Sequence, residues 1–302
     1  MIENCLFMSN RGSGQVFMQT VIVRELCSKY NKVVVAAHNT ELFIPLTINY
    51  DNLTVINNGG LQTMWNTIFQ NKDDWKVITE HPYERDSFKM RNDNFFDCYR
   101  EICGLSRKNE WTEYGAPNSD IPIVNATDDI KNAADKFCNE HKDFVIVQLV
   151  AGGINPVGQR QPFQPENGLL RRYSVKNAEK LVELLIKDGH EVLNYGLNGE
   201  PVVKDCIVFN QEQPQLLYHE LAKRNECKGI ITIDSSLLHL GAVNDNVVVL
   251  WKQTECSAFG YQKCKNIKQR KDIPLVPLMS GFPDSPICDE ISPEEIMTIF
   301  NS

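Results

Sequence analysis

The chain has 302 residues, 42% of them hydrophobic and 23% charged, with a formal net charge of -8. That length suits two domains of about 150 residues each better than one core, and the negative charge argues against a general nucleic-acid binder, a class that usually carries a basic domain. No apolar stretch approaches the ~20 residues needed to cross a bilayer. The start, MIENCLFMSNRGSG, lacks the basic opening and long apolar run of a signal peptide, so a cytoplasmic protein is expected.

Ten cysteines are scattered without a C-x-x-C pair or a dense framework. Reduced thiols acting as small buried hydrophobes are expected, with no structural zinc and no metal site.

In chain order, apolar runs at 5–8, 33–37, 53–56 and 77–79 alternate with a helical pattern at 16–30. Such alternation implies crossover connections and a mainly parallel sheet. Residues 85–116 turn polar and aromatic and are expected to form a helix and then loop. Pro117, Pro122 and the polar run to Asp129 read as an interdomain connection. A helix at 130–142 then leads into the strand 144–150, which opens a second parallel sheet. Its further elements are a helix at 174–188, strands at 191–195 and 206–209 and a helix at 214–225. Residues 151–173 are too long and irregular for a tight connection, and a loop of that kind is functional. Ser292-Pro293-Glu294-Glu295 starts a final helix with a capping serine and a first-turn proline. The architecture expected is α/β, with two doubly wound Rossmann-like domains facing a central cleft, where open α/β sheets bind ligands.

Residues 229–254, GIITIDSSLLHLGAVNDNVVVLWKQT, are the most informative stretch. Ile230, Ile231 and Ile233 form a buried strand. Asp234, Ser235 and Ser236 offer N-cap oxygens, and Leu237, Leu238, Leu240 and Ala242 supply a buried helical stripe. A strand-to-helix junction directs unsatisfied N–H groups and partial positive charge beyond the sheet edge, and diphosphate is its natural occupant. Two basic clusters stand elsewhere: Arg160, Arg171 and Arg172, and then Lys263, Lys265, Lys268, Arg270 and Lys271. A solvated face is the plain reading of each; a surface for an anionic acceptor is the other.

The run Asp234-Ser-Ser-Leu-Leu-His239-Leu-Gly-Ala242, followed by a strand and Gln253-Thr254, resembles the D-T/S-G-L-x-H-L-A-A motif, strand and G-P-T turn of the ADP-heptose:lipopolysaccharide heptosyltransferases, glycosyltransferase family 9. It departs at Ser236, where the family usually has Gly, and at Trp251-Lys252, where the family has Phe-Gly. The resemblance implies a GT-B type fold. An acceptor-side domain would span 1–125 and a nucleotide-sugar domain 126–291, with the helix at 292–302 packing back on the first.

By the same resemblance, Asp234, Ser235, Ser236 and His239 would hold the donor diphosphate, with Arg171 or Arg172 before Tyr173, or Arg160, as the guanidinium partner. The turn Arg11-Gly12-Ser13-Gly14-Gln15 matches the family's glycine-rich turn beside the acceptor, which makes Asn10, Gly12, Ser13 and Gly14 acceptor-side candidates. Gln15 occupies the position of the family's catalytic aspartate, and a carboxamide cannot take a proton at neutral pH. The candidate catalytic set is therefore Gln15 with Glu80 and His81, which follow the strand 77–79, and the base is unassigned.

The resemblance implies an inverting sugar transfer, and with no D-x-D motif the reaction is expected to be metal-independent. It needs no cofactor beyond the nucleotide-diphosphate-sugar co-substrate. The acceptor is a saccharide or other hydroxyl compound, with a modified DNA base as a further option. A non-catalytic nucleotide-sugar binder or partner subunit is the competing class.

Overall fold

A computed structural model describes residues 3–9, 12–57, 65–66, 68, 70–90, 92–149, 173–196, 202–209, 214–251, 255–268 and 291–302. Two parallel sheets organise it. The first contains β1 (Asn4–Ser9), β2 (Lys32–Ala37), β3 (Leu53–Asn57) and β4 (Trp75–Ile78), in the order β3-β2-β1-β4. The second contains β5 (Phe144–Gln148), β6 (Glu191–Asn194), β7 (Cys227–Ile233), β8 (Val247–Trp251) and β9 (Lys265–Lys268), in the order β6-β5-β7-β8-β9. Every pair in both is parallel. The central strands are buried along nearly their whole length, which is why they read as continuous apolar runs rather than alternating ones.

The described helices are α1 (Ser13–Lys29), α2 (Asp86–Lys89), α3 (Phe95–Cys103), α4 (Asp128–Glu140), α5 (Val175–Lys187), α6 (Gln215–Ala222), α7 (Ser236–Gly241), α8 (Cys256–Phe259) and α9 (Pro293–Phe300). Among these residues no helix is long and apolar enough to cross a membrane.

α1 is buried almost all round, from Val16 through Val23 without a break. A helix without a polar face needs a partner on every side, and α1 has the first sheet on one side and α7 on another. Its apolar residues share one continuous core with Leu216, Leu217 and Leu221 of α6 and with Leu237, Leu238 and Leu240 of α7. A separate core lies on the other face of the second sheet, beneath α5 and α9.

His219 of α6 is the polar member of that shared core. The Val124 N–H donates to its Nε2 at 3.3 Å, so the proton sits on Nδ1, which donates to the Leu240 carbonyl at 2.7 Å, while the ring meets Phe17 edge-on at 4.9 Å. One neutral imidazole thereby joins α6, α7, α1 and the 117–127 connection. Burial, with Lys223 adding repulsion, pushes its pKa down to about 3.

Arg100 is a second buried polar centre, inside the first unit. It donates to Asp97, Asp120 and Glu25, tying α3 to α1 and to the turn at 118–120.

Three expectations change. Residues 206–209 contribute only a bridge, Leu193 to Ile207, not a strand. The basic segment supplies β9, a strand at the sheet edge. The last helix does not pack back on the first unit: Ile296 and Phe300, one turn apart, enter the core of the second sheet, and α9 lies against α5 and β8. The reason is steric complementarity, since Phe300 fills the space left by Gly229, where a Cβ would lie 2.5 Å from the ring.

The His219 shift predicts a pH dependence. The unfolded chain protonates this residue below about 6.5 and the folded chain refuses the proton until about 3, so stability falls as pH drops through that window, by about 1.4 kcal/mol per unit. Urea unfolding at pH 7 and pH 5 should show a loss of about 2 kcal/mol from this residue. His219→Gln, which cannot titrate, should lose that part of the slope.

Candidate functional site

The carboxyl ends of β5 and β7, which are neighbours in the sheet, build the turn that precedes α7. Gln148 ends β5 in register with Thr232. Its Oε1 accepts a short hydrogen bond from the Ser235 hydroxyl and another from the Leu237 N–H at 3.3 Å. Thr232 Oγ1 lies 3.0 Å from the same hydroxyl. Ser235 therefore does not cap α7 with its side chain, as its sequence position suggested. Its hydroxyl points back to the sheet because Gln148 offers a buried acceptor there, and Gln148 also satisfies one of the first N–H groups of the helix. Asp234 is buried beside it.

Ser236 is the half-exposed member of the turn. Its hydroxyl lies 3.0 Å from the Tyr195 hydroxyl, at the end of β6. One turn along α7, His239 is buried with its Nδ1 3.0 Å from the Tyr261 hydroxyl.

The glycine-rich turn of the first unit meets this turn directly. A Cβ added to Gly14 would lie 2.9 Å from His239 Cδ2 and 3.1 Å from Ser236 Cα, so only glycine permits the approach. Ser13 Oγ accepts from Gln215 Nε2 of α6 at 2.7 Å. Gly12 is the N-cap of α1, no side chain caps that end, and no acidic residue stands in its first turn. The amino end of a 17-residue helix, with its partial positive charge, is thus pressed against the Ser236 turn.

Gln15 faces the other way. Its Nε2 donates to the Tyr83 hydroxyl at 2.8 Å, the Tyr83 ring stacks on His81 at 5.0 Å, and the Tyr83 N–H donates to His81 Nδ1 at 3.3 Å. Gln15 and His81 are thus gathered around one tyrosine. His81 is buried among Tyr83, Phe95 and Tyr99. Glu80 is 38% exposed and forms an ion pair with Arg85. Behind them Gln19 accepts from Ser9 and donates to the Tyr99 hydroxyl at 2.7 Å, linking the end of β1 to α3.

Asn10, Arg160, Arg171 and Arg172 lie outside the described residues, as do the loop 151–172, Lys252 to Thr254, Arg270 and Lys271. Tyr173 is buried, and its hydroxyl donates to the Ile291 carbonyl at 2.7 Å.

The described lysines of the basic segment are occupied within the second unit. Lys263 binds the Val243 carbonyl and Asp245, Lys265 donates to the Ile299 and Phe300 carbonyls in the last turn of α9, and Lys268 lies 3.6 Å from Glu255. A cation at a helix carboxyl end is a stabilising placement. These three side chains serve the fold.

Among the described residues no group of three or more His, Cys, Asp or Glu side chains is arranged to hold a metal. The nine described cysteines are free, and burial raises the pKa of Cys5, Cys27 and Cys98 to about 12.

No protein-family model and no curated protein matches the chain. Solved structures do, over 99% of its length. They include a glycosyl transferase family 9 protein from Veillonella parvula (TM-score 0.65, 14% identity, 98% of that chain covered) and the ADP-heptose lps heptosyltransferase II of E. coli (0.58, 15%, 97%). Also similar is TibC of enterotoxigenic E. coli, an iron-containing dodecameric heptosyltransferase solved with ADP-D-beta-D-heptose (0.60, 10%, 75%). The chain has the fold of glycosyltransferase family 9.

Within that fold the two family-like segments, the glycine-rich turn and the Asp234 motif, are the ones in contact through Gly14. Gly14→Ala should destabilise the protein by about 1–3 kcal/mol, as overpacking does. Gly12→Ala, whose added carbon meets nothing within 4 Å, should cost no more than the ~1 kcal/mol that alanine costs at a helix N-cap in the same denaturation experiment.

Proposed function

We propose that this protein is a glycosyltransferase that moves a sugar from a nucleotide-diphosphate donor to a hydroxyl acceptor. The observation that carries the reading is full-length similarity to family 9 folds, one of them solved with ADP-D-beta-D-heptose, combined with the meeting of Gly14 and the Ser236 turn. The domains are 1–125 and 126–291, with the last helix, Pro293–Phe300, joined to the second, each a doubly wound half of a GT-B fold with the cleft at the carboxyl ends of their strands.

The diphosphate of the donor lies at the Ser236 turn. Ser236 donates its hydroxyl, Asp234 and Ser235 hold the turn, and His239 backs it. Arg171, Arg172 or Arg160 supplies the guanidinium charge. As the bond from the anomeric carbon to the diphosphate lengthens, negative charge grows on the leaving oxygen. The amino ends of α1 and α7 then stabilise the transition state more than the ground state. The acceptor binds on the side of Asn10, Gly12 and Ser13, and its oxygen attacks the anomeric carbon from the opposite face, with inversion.

Gln15 holds Tyr83 and accepts no proton. Between Glu80 and His81, exposure favours Glu80 as the base: it is an accessible carboxylate, whereas His81 is buried with Nδ1 already accepting from Tyr83. Glu80→Gln should lower kcat by about 100-fold or more with the donor KM little changed. His81→Ala should cost much less. If both variants turn over normally, neither is the base.

The reaction proceeds without a metal, the helix ends and arginine doing the work of a cation. Activity in excess chelator is the expected result, and strict dependence on iron, manganese or magnesium would overturn it. We place the protein in the cytoplasm, in keeping with its free, buried thiols. The internal pairing of Lys263, Lys265 and Lys268 leaves a saccharide or other hydroxyl acceptor favoured over DNA.

The second reading is a nucleotide-sugar binder without turnover, and the pairing of Gln15 with Tyr83, in place of a carboxylate, favours it. Transfer or donor hydrolysis by purified protein supports the enzyme. Ligand-induced stabilisation with no product supports the binder.

A further inference from the structure

We infer that Tyr195 is a positioning residue for the donor diphosphate, acting through the hydroxyl of Ser236. The inference rests on the donor reading above and adds a residue that the 234–242 motif does not contain.

Three serine and threonine hydroxyls surround the turn before α7, and they are not equivalent. Those of Thr232 and Ser235 lie against each other, and the Ser235 hydroxyl donates to Gln148, so they serve the frame. Ser236 is half-exposed and stands where Gly14 brings in the amino end of α1. Its hydroxyl is the one placed to meet a ligand at this junction.

A serine hydroxyl rotates about a single bond, and a rotor that must be fixed on binding costs entropy. Tyr195 removes that freedom. It is 1% exposed, its ring meets Tyr218 edge-on at 4.6 Å, and its backbone N–H donates to the Val147 carbonyl at 2.8 Å, so its hydroxyl has a fixed place. That hydroxyl lies 3.0 Å from Ser236 Oγ. Either hydroxyl can donate in this pair, but a phosphoryl oxygen that takes the serine's proton leaves Ser236 Oγ to accept from Tyr195, so in the bound state the serine's proton is directed away from Tyr195. It is then presented to a phosphoryl oxygen at the meeting of the two helix ends, and charge on that oxygen strengthens the bond. Phenylalanine at 195 would preserve the packing and remove only the hydroxyl.

The test is a double-mutant cycle on Tyr195→Phe, Ser236→Ala and the double variant. Dissociation constants are measured by calorimetry for ADP, UDP, GDP and ADP-heptose, and urea midpoints are measured for all four proteins. With whichever nucleotide the parent binds, Ser236→Ala should weaken binding on the order of 10-fold. Tyr195→Phe should weaken it about 3- to 10-fold, and the double variant should match Ser236→Ala alone, because Tyr195 has no further effect once the serine hydroxyl is gone.

Unchanged affinity in Tyr195→Phe, or losses that multiply in the double variant, would overturn the inference while leaving the donor reading intact. A lower urea midpoint with parental affinity would mark Tyr195 as structural only and would also overturn it. If the folded parent binds none of the four nucleotides, the donor reading fails, and the role of Tyr195 falls with it.

Discussion

Burial of α1 on all sides is the constraint from which the arrangement of this molecule follows. A helix running from Val16 to Val23 without a polar residue on any water-facing stripe cannot lie on the surface of a single sheet. Covering its outer side requires α6 and α7, which belong to the other sheet, so the two units share one apolar core. Gln19 and Thr20, the polar residues in that run, are satisfied locally, by Ser9 and Tyr99 and by the Phe17 carbonyl. His219 completes the contact with a neutral ring that has a partner at each nitrogen. Apolar burial supplies the attraction, and the imidazole, which accepts only one arrangement of its neighbours, supplies the register.

The same packing creates the site. With α1 fixed against α7, the turns that begin the two helices have to meet, and Gly14 is the residue that lets them do so without a side chain between. The amino end of α1 then carries no acidic residue and no side-chain cap. Left to water, such an end is ordinary. Placed beside Ser236, it adds its partial charge to that of the shorter helix at one point.

Much of this could be read in the sequence, and the parts that could not share a cause. Parallel strands and crossover helices show as apolar runs and periodic stripes, and the contact between the Gly14 turn and the Asp234 motif follows from both lying at strand carboxyl ends. What local pattern cannot encode is the identity of a partner distant in sequence. Lys265-Asn-Ile-Lys268 reads as a charged face, yet its backbone pairs with β8 as an edge strand, and Lys265 reaches the carbonyls ending α9. Ile296 and Phe300 mark a buried stripe without saying which sheet it covers, and Gly229, where Phe300 sits, looks like a strand glycine of no consequence. Ser235 has the composition of an N-cap, and only Gln148, 87 positions away, turns its hydroxyl inward. Tyr195 and Tyr261 were missed for the same reason: each meets its serine or histidine across the fold, and nothing beside it in the chain announces the contact.

Gln15 brings these strands of argument together. A carboxylate there would sit in the first turn of α1, where the helix end would favour its charged form and lower its pKa. The amide donates to Tyr83 instead and adds no negative charge to the first turn of α1. In the proposed transfer the base is then Glu80, which emerges beside Arg85 just after β4. Its partner there is a side-chain cation, Arg85, rather than a helix end, so in the proposed reaction the proton acceptor and the anion site rest on different elements.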